Sequence, residues 1–176
     1  RQYTKRKLLW TLLFILLLAT PFRLFHLTDE SLWLDEIYSV KTAELPLLNV
    51  VSETAKRDAN PPLFYVVLSL WIRIFGSSEI SVRLLPAIFG ILGVVMIFFV
   101  GRLFNERAGI IAAILLALSS FHIAYSQEVR MYSLALLLTL LSTYFFLRLM
   151  RQENTRDSIG YTLFSILLLY SHWYGL

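Results

Sequence analysis

Five stretches of apolar residues, nearly free of charge, dominate the pattern along the chain. A helix needs about 20 consecutive apolar residues to cross the hydrocarbon core of a membrane, and these stretches approach or reach that length. The pattern therefore predicts an all-α membrane protein of multi-pass type. The predicted spans cover residues of about 8–25, 84–101, 108–126, 131–150 and 158–174.

A sixth apolar stretch, residues 61–75, is shorter and lies in the long segment between the first two spans, about 26–80. As a helix it reaches only about 22 Å, so it is either a short span or an interfacial helix. If it is interfacial, the basic loops 102–107 and 148–157 share the side of the basic N-terminal residues, as the positive-inside rule requires. We therefore expect an interfacial helix within an external loop.

Composition agrees with a membrane location, since 57% of the residues are hydrophobic and 16% are charged, against about 45–50% apolar residues in soluble domains. The chain has no cysteine, which excludes disulfides, thiolate metal sites and cysteine nucleophiles. The basic residues lie in short loops between spans, a pattern that indicates topology and gives no support for nucleic-acid binding. A secretory signal peptide is the alternative interpretation of the first span, but no small-residue cleavage site follows it.

Two adjacent carboxylates, Asp35 and Glu36, lie in the first polar loop after the first span. Thr28 or Asp29 is a suitable N-cap for a helix that runs to Ala43. Neighbouring helical residues point about 100° apart, so one carboxylate can act as a general base while the other positions it. The plainer alternative is a solvated loop helix whose acids keep it out of the bilayer.

Three further polar motifs lie at predicted helix ends, namely NPPLFY at 60–65, EISVRLLP at 79–86 and YSQEVRMY at 125–132. The guanidinium of Arg83 suits a phosphate because its planar donors form bidentate contacts, although an anchor to lipid headgroups is the common alternative. Glu128 and Arg130 occupy a polar break without the usual turn residues, which favours a functional interpretation.

The predicted topology gathers the polar residues of these motifs at one outer face of the membrane. Ionisable groups at the centre of a span cost about 2.5–3.5 kcal/mol, but most of these residues lie at predicted span ends, where the cost is smaller. The indication of a site is therefore their clustering. The clustered residues are Asp35, Glu36, Asn60, Arg83, Glu128, Arg130, Tyr132 and His172.

In order and spacing the four motifs resemble those of the GT-C membrane glycosyltransferases of family 39, the protein O-mannosyltransferase-like enzymes, which are related to lipid A aminoarabinose transferases. The resemblance covers almost the whole chain, although Asn60 stands where relatives often have histidine. It implies a GT-C-type transmembrane helix bundle with juxtamembrane helices in the first external loop. It also implies that residues 1–176 are the N-terminal portion of a longer transmembrane module.

The resemblance implies transfer of a sugar, mannose or similar, from a polyprenyl-phosphate donor to an acceptor hydroxyl, with inversion. The acceptor is a protein, lipid or glycan, and the active face is external, periplasmic or lumenal. Asp35 is then the general base and Glu36 its orienting partner. Arg83 and Arg130 are expected to bind the donor phosphate.

The same resemblance suggests that Asn60, Glu128 and Tyr132 bind substrate. No metal site is predicted, because His26, His122 and His172 lack ligand-like spacing; no cofactor is assigned, and a divalent metal stays open. The alternatives are a non-catalytic lipid-phosphate-binding or scaffold membrane protein, an inactive fragment of the transferase, or a transporter, although paired Gly- or Pro-broken helices are not evident.

Overall fold

The computed structural model describes residues 2–25, 27–57 and 61–172. All regular structure in these ranges is helical, which confirms the predicted all-α class. In chain order the helices are α1 (Gln2–Leu24), α2 (Leu34–Glu44), α3 (Leu47–Arg57), α4 (Leu63–Phe75), α5 (Glu79–Arg102), α6 (Glu106–Leu118), α7 (Ser120–Gln127), α8 (Tyr132–Leu149) and α9 (Thr155–Leu169).

Among the described residues, three helices are long and apolar enough to cross a membrane: Arg6–Leu24 within α1, all of α5 and all of α8. Helices α6 and α7 qualify only as one bent span. These helices support an integral membrane protein. Helix α9 has 15 residues, fewer than the roughly 20 needed for a perpendicular crossing, so the span at 158–174 stays a prediction.

Side-chain caps define where several helices begin. The Ser78 hydroxyl accepts a hydrogen bond from the Ser81 amide, and the Asn105 side chain accepts one from the Ala108 amide at 2.8 Å. Such caps satisfy backbone N–H groups that have no partner within the helix. As a consequence α5 begins at Glu79 rather than near residue 84, which places Arg83 inside the helix.

Helix α2 begins at Leu34, so the predicted start at Thr28 or Asp29 is wrong. The backbone carbonyls of the preceding loop, at Leu27, Glu30 and Ser31, accept hydrogen bonds from Arg83 instead of from a following helical turn. A tertiary contact has therefore replaced the local capping signal.

The apolar stretch predicted as one span at 108–126 is broken into α6 and α7, which meet at an angle of 61°. Ser119 stands at the break with extended backbone, and its hydroxyl accepts from the His122 amide at 3.3 Å. The break turns the end of this span toward α1 and α5.

Helix α5 lies at the centre of the bundle and contributes to both apolar clusters. One cluster surrounds the fully buried Phe64, Tyr65 and Leu68 of α4, and it joins α2, α4, α5 and α8. The other joins α1, α5 and α6. The stretch at 61–75 thus forms a packed helix that ends at Gly76, where φ is +82°, while its interfacial placement stays a prediction.

Candidate active site

The carboxylate of Glu36 lies at the junction of α2, α5 and the segment that follows α7. It is fully buried and accepts hydrogen bonds from the Trp33 amide, from Nε and Nη2 of Arg83, and from the Val129 amide, at 2.7 to 3.2 Å. The bond from Trp33 is half of a capping box, because the third residue of the helix reaches back to the N-cap amide. Glu36 therefore fixes both the start of α2 and the backbone at Val129.

Arg83 uses its whole guanidinium on protein acceptors. An arginine has five N–H donors, and here they reach the two Glu36 oxygens and the carbonyls of Leu27, Glu30 and Ser31. In this arrangement Arg83 presents no N–H to a phosphate. Its observed task is to hold the loop before α2 and the Glu36 carboxylate.

Asp35 has a different environment from its neighbour. Its side chain is 45% exposed, and Oδ2 lies 4.0 Å from Nη2 of Arg130. Residues next to each other in a helix point about 100° apart, so α2 directs Glu36 into the protein and Asp35 toward Arg130. The two carboxylates are thus divided into one buried and fully bonded group and one accessible group.

Arg130 follows α7 and is itself almost buried, with 8% of its surface exposed. Burial lowers the pKa of Arg130, but the nearby Tyr65, Tyr132 and Asp35 outweigh that effect and raise it above its usual value. Its Nε has no hydrogen-bond partner among the described residues. A permanently charged guanidinium with an unused donor therefore lies beside the accessible carboxylate.

Glu128 lies two residues before Arg130 and is half-buried. Burial and the charge of Glu36 raise its pKa, with a smaller contribution from Asp35, while Arg130 and Arg83 act in the opposite direction. A carboxyl group that gives up part of its hydration in this way is protonated more readily than a solvated one. The pKa of Glu128 is therefore higher than that of an exposed glutamate, which favours its protonated form.

A cavity of about 400 Å³ lies between the loop before α2 and the end of α7. Trp33, Glu36, Arg83 and Glu128 contribute to its wall, together with Asp29. Trp33 is 47% exposed, so an aromatic face and carboxylates border the same space. Such a lining offers stacking and hydrogen-bond acceptors to a polyhydroxylated ligand.

Tyr132 lies beside a second cavity of about 460 Å³, which has a mostly apolar wall that also includes Tyr125, His122 and His172. The ring centroids of Tyr125 and Tyr132 are 4.6 Å apart, and that of His172 is 6.0 Å from that of Tyr132. The wall of the second cavity is therefore largely aromatic.

Of the site residues predicted from the sequence, Asp35, Glu36, Arg83 and Arg130 are brought together, and Glu128 and Tyr132 border the adjoining cavities. Asn60 lies outside the described residues. Within the described ranges, no three His, Asp or Glu side chains are placed to hold a metal ion.

Two residues without an assigned role in the sequence support this site. The Gln127 side chain donates to the carbonyls of Phe22, Arg23 and Phe25, and the fully buried Arg23 bonds to the break between α6 and α7. Gln127 was visible only as part of a polar motif, and Arg23 looked like a flanking charge of the first span. The available signal was an arginine at the end of the first span opposite the basic N-terminal flank.

Residues 59–170 match the sequence family described as dolichyl-phosphate-mannose-protein mannosyltransferase. The match covers more than half of the chain and includes Arg83, Glu128, Arg130 and Tyr132, whereas Asp35 and Glu36 precede it. Comparison with curated proteins and with solved structures gives no match.

Proposed function

The chain belongs to the dolichyl-phosphate-mannose-protein mannosyltransferase family of GT-C-type membrane glycosyltransferases, and from that premise we propose that it transfers a sugar from a polyprenyl-phosphate donor to an acceptor hydroxyl. The sugar is mannose or a similar hexose, and the acceptor is a protein, lipid or glycan. The reaction takes place at the external, periplasmic or lumenal face. The observation that carries the proposal is the accessible Asp35 carboxylate 4.0 Å from the cationic Arg130.

In the proposed reaction, Asp35 takes the proton of the acceptor hydroxyl. The acceptor oxygen attacks the anomeric carbon, and the bond from that carbon to the phosphate oxygen breaks on the opposite face, which inverts the configuration. The polyprenyl phosphate leaves with the bonding electrons. Asp35 suits the role of base because its side chain is exposed. The oxygens of Glu36, in contrast, already accept hydrogen bonds from other groups of the protein.

Arg130 is the proposed ligand of the donor phosphate. Negative charge develops on the leaving phosphate in the transition state, and a preorganised guanidinium in a partly water-excluded site stabilises it. The sequence assigned this task to Arg83 as well, but the donors of Arg83 are all engaged. We therefore revise the role of Arg83 to a positioning residue that places Glu36, and through Glu36 the backbone beside Arg130.

The proposed substrate contacts follow from the two cavities. Glu128 and Trp33 border the polar cavity, where carboxylate oxygens suit sugar hydroxyls. Tyr132 borders the apolar cavity, and we retain it, with Asn60, as a proposed substrate contact. The partners are accordingly a polyprenyl-phosphate-linked sugar, an acceptor and membrane lipids.

The test is sugar transfer from a panel of radiolabelled polyprenyl-phosphate sugars by the full-length protein in membranes, with Asp35→Asn as the variant. General-base catalysis contributes about 10²–10⁴-fold, so we expect transfer to fall by at least 100-fold while folding is retained. Glu44→Gln is the matched control, because Glu44 is an exposed acid on the same helix. Equal transfer by Asp35→Asn would remove Asp35 from catalysis, and donor binding without transfer by the wild type would favour a lipid-phosphate-binding scaffold.

A further inference from the structure

The guanidinium of Arg23 is fully buried at the end of α1. Its Nη1 donates to the carbonyls of Ala19 at 2.9 Å and Ala117 at 3.2 Å. Its Nη2 donates to the carbonyl of Leu116 at 3.0 Å and lies 2.7 Å from Nδ1 of His122. One side chain of α1 thus reaches the end of α6 and the start of α7.

These contacts meet a specific need at the break between α6 and α7. The last carbonyls of a helix have no partner within it, and a buried carbonyl without a partner costs about 1–3 kcal/mol. Arg23 donates to the Ala117 carbonyl and adds a second donor at the Leu116 carbonyl, which also accepts from the Ser119 amide. These carbonyls in turn help to satisfy the buried charge of Arg23. Since Arg23 Nη2 can only donate, His122 Nδ1 is the acceptor, and the imidazole carries its proton on Nε2.

At the opposite end of α7, the donor side chain belongs to α7 and the acceptors lie at the end of α1. Nε2 of Gln127 donates to the carbonyls of Phe22 at 3.3 Å, Arg23 at 3.5 Å and Phe25 at 2.7 Å. The carbonyls of Phe22 and Arg23 belong to the last turn of α1, where helical partners are lacking, and Phe25 directly follows the helix. Arg23 of α1 therefore bonds to His122 near the start of α7, and Gln127 at the end of α7 bonds to the end of α1, so α7 is fixed to α1 at both of its ends.

Helix α7 is also seated closely on α5. A Cβ atom added at Gly90 would lie 2.2 Å from Oγ of Ser126 and 3.4 Å from Cδ of Arg23. Helix α7 then leads directly into the segment Glu128–Arg130, whose central amide, that of Val129, donates to Glu36 at 3.0 Å. The placement of α7 consequently sets where Arg130 stands relative to Asp35.

We infer that Arg23 is a positioning residue of the active site, which holds α7 against α1 and thereby places the Glu128–Arg130 segment opposite Asp35. The catalytic part of this inference rests on the proposed function. The mechanical part, from Arg23 through α7 to the Val129 amide, does not depend on which reaction the site performs.

The experiment combines transfer kinetics with amide hydrogen exchange on the full-length protein in lipid nanodiscs. Arg23→Met keeps the length and removes every donor, Arg23→Lys restores part of them, and Gln127→Met breaks the reciprocal tie without uncovering a buried charge. Lys7→Gln is the control, because Lys7 lies on the same helix in an exposed pair with Glu106.

For Arg23→Met we expect kcat/KM for transfer to fall at least tenfold and exchange of the Val129 amide to rise at least tenfold, with α9 unchanged within twofold. Gln127→Met should give the same pattern at smaller size, Arg23→Lys an intermediate one, and Lys7→Gln none. Exchange and transfer within twofold of wild type in both Arg23→Met and Gln127→Met would overturn the inference, as would equal acceleration in α9. Faster exchange at Val129 with no transfer by the wild type would support the positioning and overturn the proposed function.

Discussion

Glu36 and Arg83 form a buried ion pair in which Oε2 of Glu36 lies 2.7 Å from Nη2 of Arg83. The side chain of Glu36 is 0% exposed and that of Arg83 is 8% exposed. Asp35, one residue away, is accessible. The pair joins α2 to the central helix α5, whereas the neighbouring carboxylate is not part of it.

Removing one charge of this pair should destabilise the protein strongly. Glu36→Gln leaves the buried Arg83 without a counter-charge, a situation that costs about 3–5 kcal/mol in unfolding free energy. Denaturant unfolding of the protein in detergent micelles measures this loss.

The control for this prediction is Glu30→Gln, because the Glu30 side chain is exposed and Arg83 bonds only to its backbone carbonyl. Exposed substitutions usually change stability by no more than about 0.5 kcal/mol. A loss for Glu36→Gln as small as that for Glu30→Gln would show that the pair contributes little.

Glu128 should make the stability of the folded protein depend on pH, and the direction of its pKa shift fixes the direction of that dependence. Its pKa in the folded protein is raised above the usual value of about 4.3, so the folded state binds a proton that the unfolded state has already released. The stability due to this proton is fully present below the unfolded pKa and is lost as the pH rises through the folded pKa. Relative to Glu128→Gln, the wild type should therefore lose stability as the pH increases above about 4.3.

Melting temperatures of the wild type and of Glu128→Gln test this prediction. The measurements run from about pH 4, near the reference pKa of a glutamate, up to about pH 7. The charged groups that act on Glu128 are Glu36, Asp35, Arg130 and Arg83. They are unchanged in Glu128→Gln, so the difference between the two curves isolates Glu128. A difference that stays constant, or that grows in favour of the wild type, would contradict the raised pKa.

Arg130 should be required for use of the donor, and lysine should not replace it fully. Arg130→Met removes the proposed phosphate ligand, and loss of a single group that stabilises charge in a transition state costs about 10²–10³-fold in rate. Arg130→Lys keeps the charge without the planar donor pair, so we expect an intermediate rate. Transfer kinetics with varied donor concentration measure both.

Arg73→Met is the control for Arg130, since Arg73 lies at the end of α4 and bonds to the Leu45 carbonyl at the surface. A rate for Arg130→Met that matches the rate for Arg73→Met would move the phosphate site elsewhere.

Two glycines of α5 should respond oppositely to alanine. A Cβ at Gly90 would lie 2.2 Å from Oγ of Ser126, whereas a Cβ at Gly93 would lie 3.7 Å from Nε2 of His122, an ordinary contact. Gly90→Ala should therefore cost about 1–3 kcal/mol through overpacking, and Gly93→Ala should gain up to about 1 kcal/mol from helix propensity.

Denaturant unfolding of the two variants compares them directly, and Ser126→Gly in the Gly90→Ala background should recover part of the loss. Equal stability of Gly90→Ala and Gly93→Ala would show that α7 does not press on α5 as described.

Much of the fold follows from the sequence because long uncharged stretches have few alternatives to a helix in a membrane. The start of α2 was mispredicted because the capping signal at Thr28 and Asp29 is local, while Arg83 acts from a distant part of the chain. The break at Ser119 has no glycine or proline to mark it. The carbonyls at this break bond to Arg23, which lies far away in sequence.

In the candidate site, too, some features follow from the sequence and others depend on contacts between distant parts of the chain. The motifs identified which residues gather, since polar groups at span ends are few. They did not indicate that Arg83 is wholly engaged by protein acceptors, because donor satisfaction depends on backbone carbonyls whose positions only the folded chain defines. The different roles that we propose for Arg83 and Arg130 therefore rest on contacts that the motifs do not show.

The membrane orientation can be tested with single cysteines, since the chain has none. A cysteine at Glu30 should react with an impermeant thiol reagent added outside, and a cysteine at Gln152 should not, because the basic loops are predicted to lie inside. Both positions are exposed. Gln152 is preferable to Asn105, which caps α6; external labelling at Gln152 would invert the proposed topology.

The 61° bend between α6 and α7 shortens the advance of the chain along the axis of α6. An unbroken helix over residues 106–127 would rise about 33 Å, but the eight residues of α7, about 12 Å long, advance only about 6 Å along the axis of α6. Along the axis of α6, the polar segment after α7 consequently lies about one helical turn short of the position that a straight helix would give it. Under the proposed function and topology, this shorter advance keeps Arg130 nearer the level at which a headgroup still attached to its lipid lies.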